Sequence, residues 1–381
     1  MDIVVIVPGL GVGDAALMPS GGELGAFLSG CARVSGVSAP FPCLAHVTVV
    51  SALTGKSAAA HGLIHPFAAT RGAPPYLRRA YDGERCLLEP MVFERLRRHG
   101  IDSAAFLCPS SAESRSALVC CPYLAGGGGA GAMLRAGRKA YRQRRLVMAS
   151  GHEEKDSEAV AAVCRLSGAK KRPQLAFLTL WNLYFSRREL GENDDRATAA
   201  LMKIFSYFVL LRGAAQRLFI YGTGSLFSVV NAYPLPQLLK KAGLTTSVYA
   251  QAADSGAYLY SYAGKERESE RGFEMLEQNP KIFDAESVIR LCGRCAGMSE
   301  RPSRVVRAGA GDVFLDSAGN APLMACELFS QSRGLYLFSG GGFVAGKKDI
   351  NASCLDLLPT LFYTLGIEEG EMSGKVLHGC F

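Results

Sequence analysis

Apolar residues along the chain fall into short continuous runs and longer segments with helical spacing. Residues 3–7, Ile-Val-Val-Ile-Val, form an uninterrupted β-branched run that is followed by a glycine-rich turn. Such a run predicts a strand covered on both faces, as in a parallel sheet. Similar runs predict further strands at residues 101–107, 174–183, 217–221 and 334–339.

Segments with apolar residues at helical spacing lie between these runs. They predict helices at residues 92–99, 153–166, 196–211 and 353–365, and a glycine follows two of them as a C-cap. The alternation predicts an α/β fold, with a doubly wound, mostly parallel central sheet and helices on both faces.

The segment from about 245 to 325 has a less regular pattern. Short strands are predicted at residues 247–250 and 257–262, and an amphipathic helix at residues 284–291. We therefore predict one α/β domain over residues 1–381, with a smaller cap-like insertion at about residues 245–325.

Composition is that of a globular protein. The 381 residues are 49% hydrophobic and 20% charged, which argues against disorder. The longest strongly apolar helical stretch, residues 202–211, is shorter than the roughly 20 residues of a membrane span, so none is predicted. The 12 cysteines are scattered singly, and no basic leader precedes residues 3–7. We therefore expect free thiols and a cytoplasmic location.

The net charge of +8 is partly concentrated in two basic clusters, at residues 135–145 and 170–172. One interpretation is a solvated helix face. The other is a surface that binds a nucleotide, a nucleic acid or a lipid headgroup, for which the cations must converge on one face.

Two segments carry distinctive motifs. In residues 39–64, Phe41-Pro42, Leu53-Thr54-Gly55 and His61-Gly62 stand at separations that resemble the nucleophile region of the nucleotide pyrophosphatase/phosphodiesterase family. Residues 356–377 resemble the closing Asp-x-x-Pro-Thr-x-Leu-x-x-Leu-Gly and Gly-Arg-x-Leu pattern of the alkaline phosphatase superfamily, to whose type I phosphodiesterase branch that family belongs. The resemblance implies an alkaline phosphatase-like fold and phosphoester hydrolysis with two divalent metal ions, typically zinc.

The same resemblance indicates which residues occupy the family's catalytic positions, and none of them fits its role. The nucleophilic Thr or Ser corresponds to Ala45, and the last metal-binding His falls near Leu328. The remaining metal-ligand positions correspond to Pro8, Tyr184, Arg188, Gly222 and Thr223.

These replacements predict a catalytically inactive protein of this family with no metal cofactor. The permanent charge of Arg188 suits the electrostatic place of a cation, and Arg188, His46 and Thr223 are the candidate phosphate-binding residues. We expect a regulatory or scaffolding role in which the protein binds a phosphorylated small molecule or a protein partner. The alternatives are an active metal-dependent phosphodiesterase or phosphatase with relocated ligands, and a basic nucleic-acid-binding protein.

Two arrangements of the pocket separate ligand binding from scaffolding. Convergence of Arg188, Thr223 and His46 around space for an anion favours a ligand, whereas a pocket filled by Trp181 and Tyr184 favours a scaffold. His46 itself is either a phosphate-binding or phospho-accepting residue or a local hydrogen-bonding group.

Three other motifs have mainly structural interpretations. His61 is expected to fix a turn, and Cys43 to be a buried apolar side chain rather than a nucleophile. The Cys292-Gly-Arg-Cys295 motif has no second Cys or His pair nearby to complete a zinc site.

Overall fold

A computed structural model describes residues 1–18, 20–65, 87–109, 117–120, 151–277, 284–286, 302–317, 320–328, 334–368, 370 and 372–381. The helices in these ranges are α1 Val12–Ala16, α2 Gly22–Ser29, α3 Ala45–Thr54, α4 Ala58–His61, α5 Val92–Arg98, α6 His152–Ser167, α7 Asn182–Leu190, α8 Asp195–Ala214, α9 Leu235–Lys241, α10 Glu266–Glu277 and α11 Leu357–Thr364, with 3-10 turns at Cys354–Asp356 and His378–Cys380. The strands are β1 Asp2–Val7, β2 Ala32–Val37, β3 Ser103–Phe106, β4 Ala117–Cys120, β5 Leu175–Thr179, β6 Arg217–Gly222, β7 Phe227–Ser228, β8 Asn231–Pro234, β9 Val248–Ala253, β10 Gly256–Ser261, β11 Asp284–Glu286, β12 Arg304–Arg307, β13 Asp312–Leu315, β14 Met324–Ala325, β15 Gly334–Gly340 and β16 Gly346–Lys348.

The central sheet has eight strands in the order β16-β2-β15-β6-β1-β5-β3-β4. Strand β1 lies between β5 and β6 and runs parallel to both, and all six of its residues are buried. Strand β15 runs antiparallel to its neighbours β2 and β6. This topology confirms the predicted doubly wound, mostly parallel α/β fold. The fold forms because strands without polar alternation need cover on both faces.

Helix α7 begins where a longer strand was predicted. Strand β5 ends at Thr179, and the Asp156 side chain on α6 accepts hydrogen bonds from the backbone N–H groups of Trp181 (3.0 Å) and Asn182 (2.8 Å). These bonds satisfy donors at the start of α7 and thereby fix its first turn. The strand predicted at residues 174–183 was therefore wrong at its carboxyl end.

A second, antiparallel sheet has the order β11-β12-β10-β9 and packs with α9 and α10 around its own apolar core, which includes Leu239, Leu244, Leu259 and Phe273. The predicted short strands correspond to β9 and β10. The helix predicted at residues 284–291 is wrong over residues 284–286, which form strand β11 because they pair with β12 at the edge of this sheet. The domain bounds of the cap-like insertion stay a prediction.

Helix α8 has the length and mean hydropathy of a membrane span, yet 44% of its apolar window is buried inside the protein. Its buried side chains include Ile204, Phe205, Phe208 and Leu211, and it contacts α2, α6, α7 and β6. Core packing accounts for part of this apolar composition, and one such helix is weak evidence for a span.

Candidate functional site

The predicted positions Pro8, Gly222 and Thr223 lie side by side at the carboxyl ends of β1 and β6. Val7 pairs with Gly222, and the Thr223 N–H donates to the Val7 carbonyl oxygen at 3.2 Å. The Gly9 N–H donates to the Thr223 hydroxyl at 3.3 Å. Open α/β sheets bind ligands at this edge, which makes it the candidate site.

The first two of these positions carry no ligand for a cation. Pro8 has no side-chain donor atom, and Gly222 has no side chain. A Cβ atom at Gly222 would lie 2.6 Å from the Leu10 carbonyl oxygen, a separation that real Cβ atoms essentially never show. The β6 turn and the β1 turn are therefore packed too closely for a carboxylate-bearing residue at position 222.

Helix α7 closes the same edge from the other side. A Cβ atom at Gly9 would lie 3.2 Å from the Tyr184 Cα, so the β1 turn packs directly on this helix. Arg187, one turn after Tyr184 on α7, donates to the Gly9 carbonyl oxygen at 2.7 Å. Trp181, one turn before Tyr184, is buried and donates its ring N–H to the Leu107 carbonyl oxygen at 3.0 Å.

Arg188 forms a two-point ion pair with Asp254, which belongs to the turn between β9 and β10. The Nη1–Oδ2 and Nη2–Oδ1 distances are 2.8 and 2.6 Å, and Asp254 also accepts from the Cys326 backbone N–H at 2.9 Å. Burial alone raises the pKa of Asp254, but the Arg188 charge and these hydrogen bonds hold it below its usual value. Burial disfavours the Arg188 charge as well, and the Asp254 carboxylate nevertheless keeps the pKa of Arg188 above its ordinary value. Both groups are therefore charged at neutral pH.

Cys326 stands beside the predicted nucleophile position. The Ala45 backbone N–H, at the start of α3, acts on the Cys326 thiol by lowering its pKa, and the thiol lies 4.0 Å from the Tyr184 hydroxyl. That hydroxyl is 3.3 Å from Arg188 Nη1. Burial raises the pKa of Cys326 to about 12, so it stays a thiol at neutral pH and is not an activated nucleophile.

His46 lies in the first turn of α3 and is buried, with its ring 6.4 Å from that of Trp181. Its Nε2 atom has no hydrogen-bond partner among the described residues. Burial lowers the pKa of His46 to about 3, and the nearby His65 and His61 act in the same direction. His46 is therefore neutral at physiological pH and offers no positive charge to a phosphate.

His61 is the last residue of α4 and precedes the turn at Gly62. Its Nδ1 accepts from the Leu63 N–H at 3.2 Å, so Nε2 carries the proton and donates to the Ser51 hydroxyl at 2.9 Å. Burial lowers the pKa of His61 to about 4. These contacts fit its expected part in fixing the turn.

The donor set at this edge does not fit a pair of metal ions. Within the described ranges, no group of three or more His, Cys, Asp or Glu side chains is placed to hold a metal ion. Two-metal sites need several such ligands around each cation. The basic cluster at residues 135–145 and the Cys292–Cys295 motif lie outside the described residues.

Solved structures with a similar fold cover almost the whole chain. Murine ectonucleotide pyrophosphatase/phosphodiesterase 5 matches with a TM-score of 0.75 and 13% identity, over 98% of this chain and 97% of that one. This chain has the alkaline phosphatase-like fold. The human counterpart matches with a TM-score of 0.72 and 14% identity, over 98% of this chain and 97% of that one.

The same fold appears in phosphonoacetate hydrolase from Sinorhizobium meliloti, in complex with phosphonoacetate. It matches with a TM-score of 0.69 and 14% identity, over 96% of this chain and 95% of that one. No protein-family model matches the sequence, and no curated protein matches it at the sequence level. At these identities the comparisons show the alkaline phosphatase-like fold and leave the activity to be argued from the site.

Two residues of the site were not found from the sequence. Asp254 is 66 residues from Arg188, and Cys326 lies far along the chain from Ala45. The Asp254-Ser255-Gly256 segment signals a turn, but nothing in the sequence says that this turn enters the sheet edge. Tyr184, Arg188 and Ala45, which the family resemblance did identify, all lie within this network.

Proposed function

We propose that this protein does not hydrolyse phosphoesters and acts as a binding or scaffolding protein built on the alkaline phosphatase-like fold. The observation that carries the proposal is the Arg188–Asp254 ion pair. In this pair the guanidinium and the carboxylate bind each other through two hydrogen bonds. Two-metal hydrolysis needs carboxylates and imidazoles at these positions that are free to bind cations.

Scaffolding for a protein partner is favoured over a preformed phosphate pocket. Thr223 contacts the β1 turn, His46 is neutral beside Trp181, and Arg188 is bound to Asp254. Trp181 and Tyr184 pack in this centre, which is the arrangement expected of a scaffold. The cytoplasmic location predicted from the cysteines belongs to the same proposal.

Metal analysis combined with an activity assay tests the proposal. We expect the purified full chain to retain no stoichiometric zinc or manganese and to leave a nitrophenyl phosphodiester intact, with or without added metal. About two bound ions per chain, together with hydrolysis that a chelator abolishes, would establish the alternative of an active enzyme with relocated ligands.

A further inference from the structure

The turn between β9 and β10 is fixed at the sheet edge by residues distant in sequence. The Asp254 carbonyl oxygen accepts from the Phe314 N–H at 2.9 Å, and the Ser255 hydroxyl accepts from the Leu328 N–H at 2.7 Å. Asp254 has a φ of 54°, a left-handed conformation that L-residues other than Asn and Asp rarely adopt. The turn is therefore held so that its carboxylate points at Arg188.

The donors around this carboxylate form the kind of site that binds a free oxyanion. Arg188 presents both Nη atoms in a planar fork, and the Cys326 backbone N–H adds a donor at 2.9 Å. A guanidinium fork with a backbone N–H matches the oxygen geometry of carboxylate and phosphate groups. Asp254 thus has the position of a ligand that the chain itself supplies.

We propose that Arg188 and the Cys326 N–H form an oxyanion-binding site that Asp254 plugs, and that movement of the β9–β10 turn opens it to a phosphate or carboxylate group. This inference rests on the proposed non-catalytic function and adds its ligand class and regulation. The second sheet carries the plug, so opening the site requires the β9–β10 turn to release its hydrogen bonds from Phe314 and Leu328.

The neighbouring ion pair shows why this one suits exchange. Arg187, on the same helix as Arg188, pairs with Asp14 of α1. Both of these side chains are only 3% exposed, whereas Arg188 is 26% exposed. Solvent therefore reaches part of the Arg188 side chain and does not reach Arg187. The matched pair also gives the experiment its control.

The plug lowers affinity by mass action. When only a small fraction of molecules has the site open, the apparent dissociation constant is the intrinsic one divided by that fraction. Asp254→Gly removes the carboxylate and suits the left-handed turn. Calorimetric titration of the full chain with inorganic phosphate at constant ionic strength should show binding at least ~10-fold tighter than in the wild type.

Further variants assign the gain to Arg188. Asp254→Gly combined with Arg188→Met should lose it, and acetate should compete with phosphate in Asp254→Gly. Asp14→Asn, in a preparation shown by circular dichroism to be folded, should show no gain, because Arg187 is closed to solvent. Asp254→Asn tolerates the same turn, removes the charge, and serves as the second variant should Asp254→Gly not fold.

The inference is overturned if both Asp254 variants bind phosphate no more tightly than the wild type, or if the gain persists without Arg188. Either result would make the ion pair a tether of the second sheet and would leave the proposed absence of hydrolysis standing. Chelator-sensitive hydrolysis by the wild type would instead overturn the proposed function, whatever the phosphate titration shows.

Discussion

The Asp14 carboxylate and the Arg187 guanidinium form a two-point ion pair inside the protein, with distances of 2.9 Å (Nη1–Oδ2) and 2.5 Å (Nη2–Oδ1). Asp14 also accepts from the Gly11 N–H at 2.8 Å, and Arg187 donates to the Gly9 carbonyl oxygen. The pair joins α1, which follows the turn after β1, to α7. It therefore sets where α7 places Tyr184 and Arg188.

Removing Asp14 should destabilise the fold strongly. Asp14→Ala leaves the buried Arg187 charge with only the exposed Glu192 carboxylate, 4.0 Å away. Breaking a buried pair in this way costs about 3–5 kcal/mol. Urea unfolding followed by circular dichroism measures the loss. Glu94→Ala, which breaks the exposed pair with Arg97, is the control and should have little effect. Equal losses in the two variants would contradict a special contribution from the buried pair.

The sequence predicted the central fold because its signals are local. Continuous apolar runs indicated the buried strands, and glycines that end helices marked turns, as at Gly55 and Gly366, whose φ values are 66° and 68°. The family resemblance also placed Ala45 and Arg188 in one centre, although they lie far apart along the chain.

The remaining features depend on tertiary contacts that local patterns do not report. Residues 284–286 have helical apolar spacing with the segment that follows, but the edge of β12 pairs with them as a strand. Arg188 was expected to be available to a phosphate, yet Asp254 reaches it from the second sheet. The partner of a charge is set by the fold and not by its sequence neighbours.

Asp156 should make stability depend on pH. Its burial raises its pKa to about 7 from 3.8, although the Trp181 and Asn182 N–H groups act in the opposite direction. Because the folded state then holds the proton more tightly than the unfolded state, stability should fall as pH rises from about 4 to 7. The corresponding change is up to about 4 kcal/mol, at about 1.4 kcal/mol per pKa unit.

The Asp156→Asn variant isolates this contribution. Unfolding free energies of wild type and variant, measured from pH 4 to 8, should diverge as pH rises, with the variant losing less stability. Parallel curves over this range would show that the two backbone hydrogen bonds outweigh burial.

His46 should act in the opposite sense. Its pKa is lowered to about 3 by burial, with His65 and His61 contributing, so the unfolded chain binds a proton near pH 6.5 that the folded protein refuses. Stability should consequently fall as pH drops from about 6.5 toward 3. His46→Phe removes the titrating group beside Trp181 and should reduce the acid-induced loss by at least about 1 kcal/mol. Chemical unfolding at pH 7 and pH 4.5 measures the difference in stability loss. His99→Asn, at an exposed position, is the control. An unchanged loss in His46→Phe would exclude His46 as a source of the acid sensitivity.

Gly222 should tolerate no side chain. A Cβ atom there would stand 2.6 Å from the Leu10 carbonyl oxygen, and relieving the overlap requires backbone movement between β1 and β6. We expect Gly222→Ala to lose about 1–3 kcal/mol of stability in urea unfolding, as overpacking does elsewhere. Gly213→Ala is the matched control, because nothing lies within 4 Å of its Cβ position on α8 and alanine favours helix. A Gly222→Ala variant as stable as Gly213→Ala would contradict the packing argument.

This packing also predicts that restoring the two most obvious family residues does not restore hydrolysis. Pro8→Asp with Ala45→Thr supplies one carboxylate and one hydroxyl, but Tyr184, Gly222 and Thr223 still hold no carboxylate or imidazole, and the Arg188 charge repels a divalent cation placed nearby. The expected result is no turnover of a nitrophenyl phosphodiester above wild type in the presence of zinc or manganese, in a double variant shown by circular dichroism to be folded. Adding Arg188→His to the double variant tests whether removing the positive charge restores hydrolysis. We expect no hydrolysis, because position 222 still admits no ligand. Chelator-sensitive turnover in the double variant would mean that other residues supply the metal ligands. The assignment of Tyr184, Arg188, Gly222 and Thr223 to the family's metal-ligand positions would then have to be abandoned.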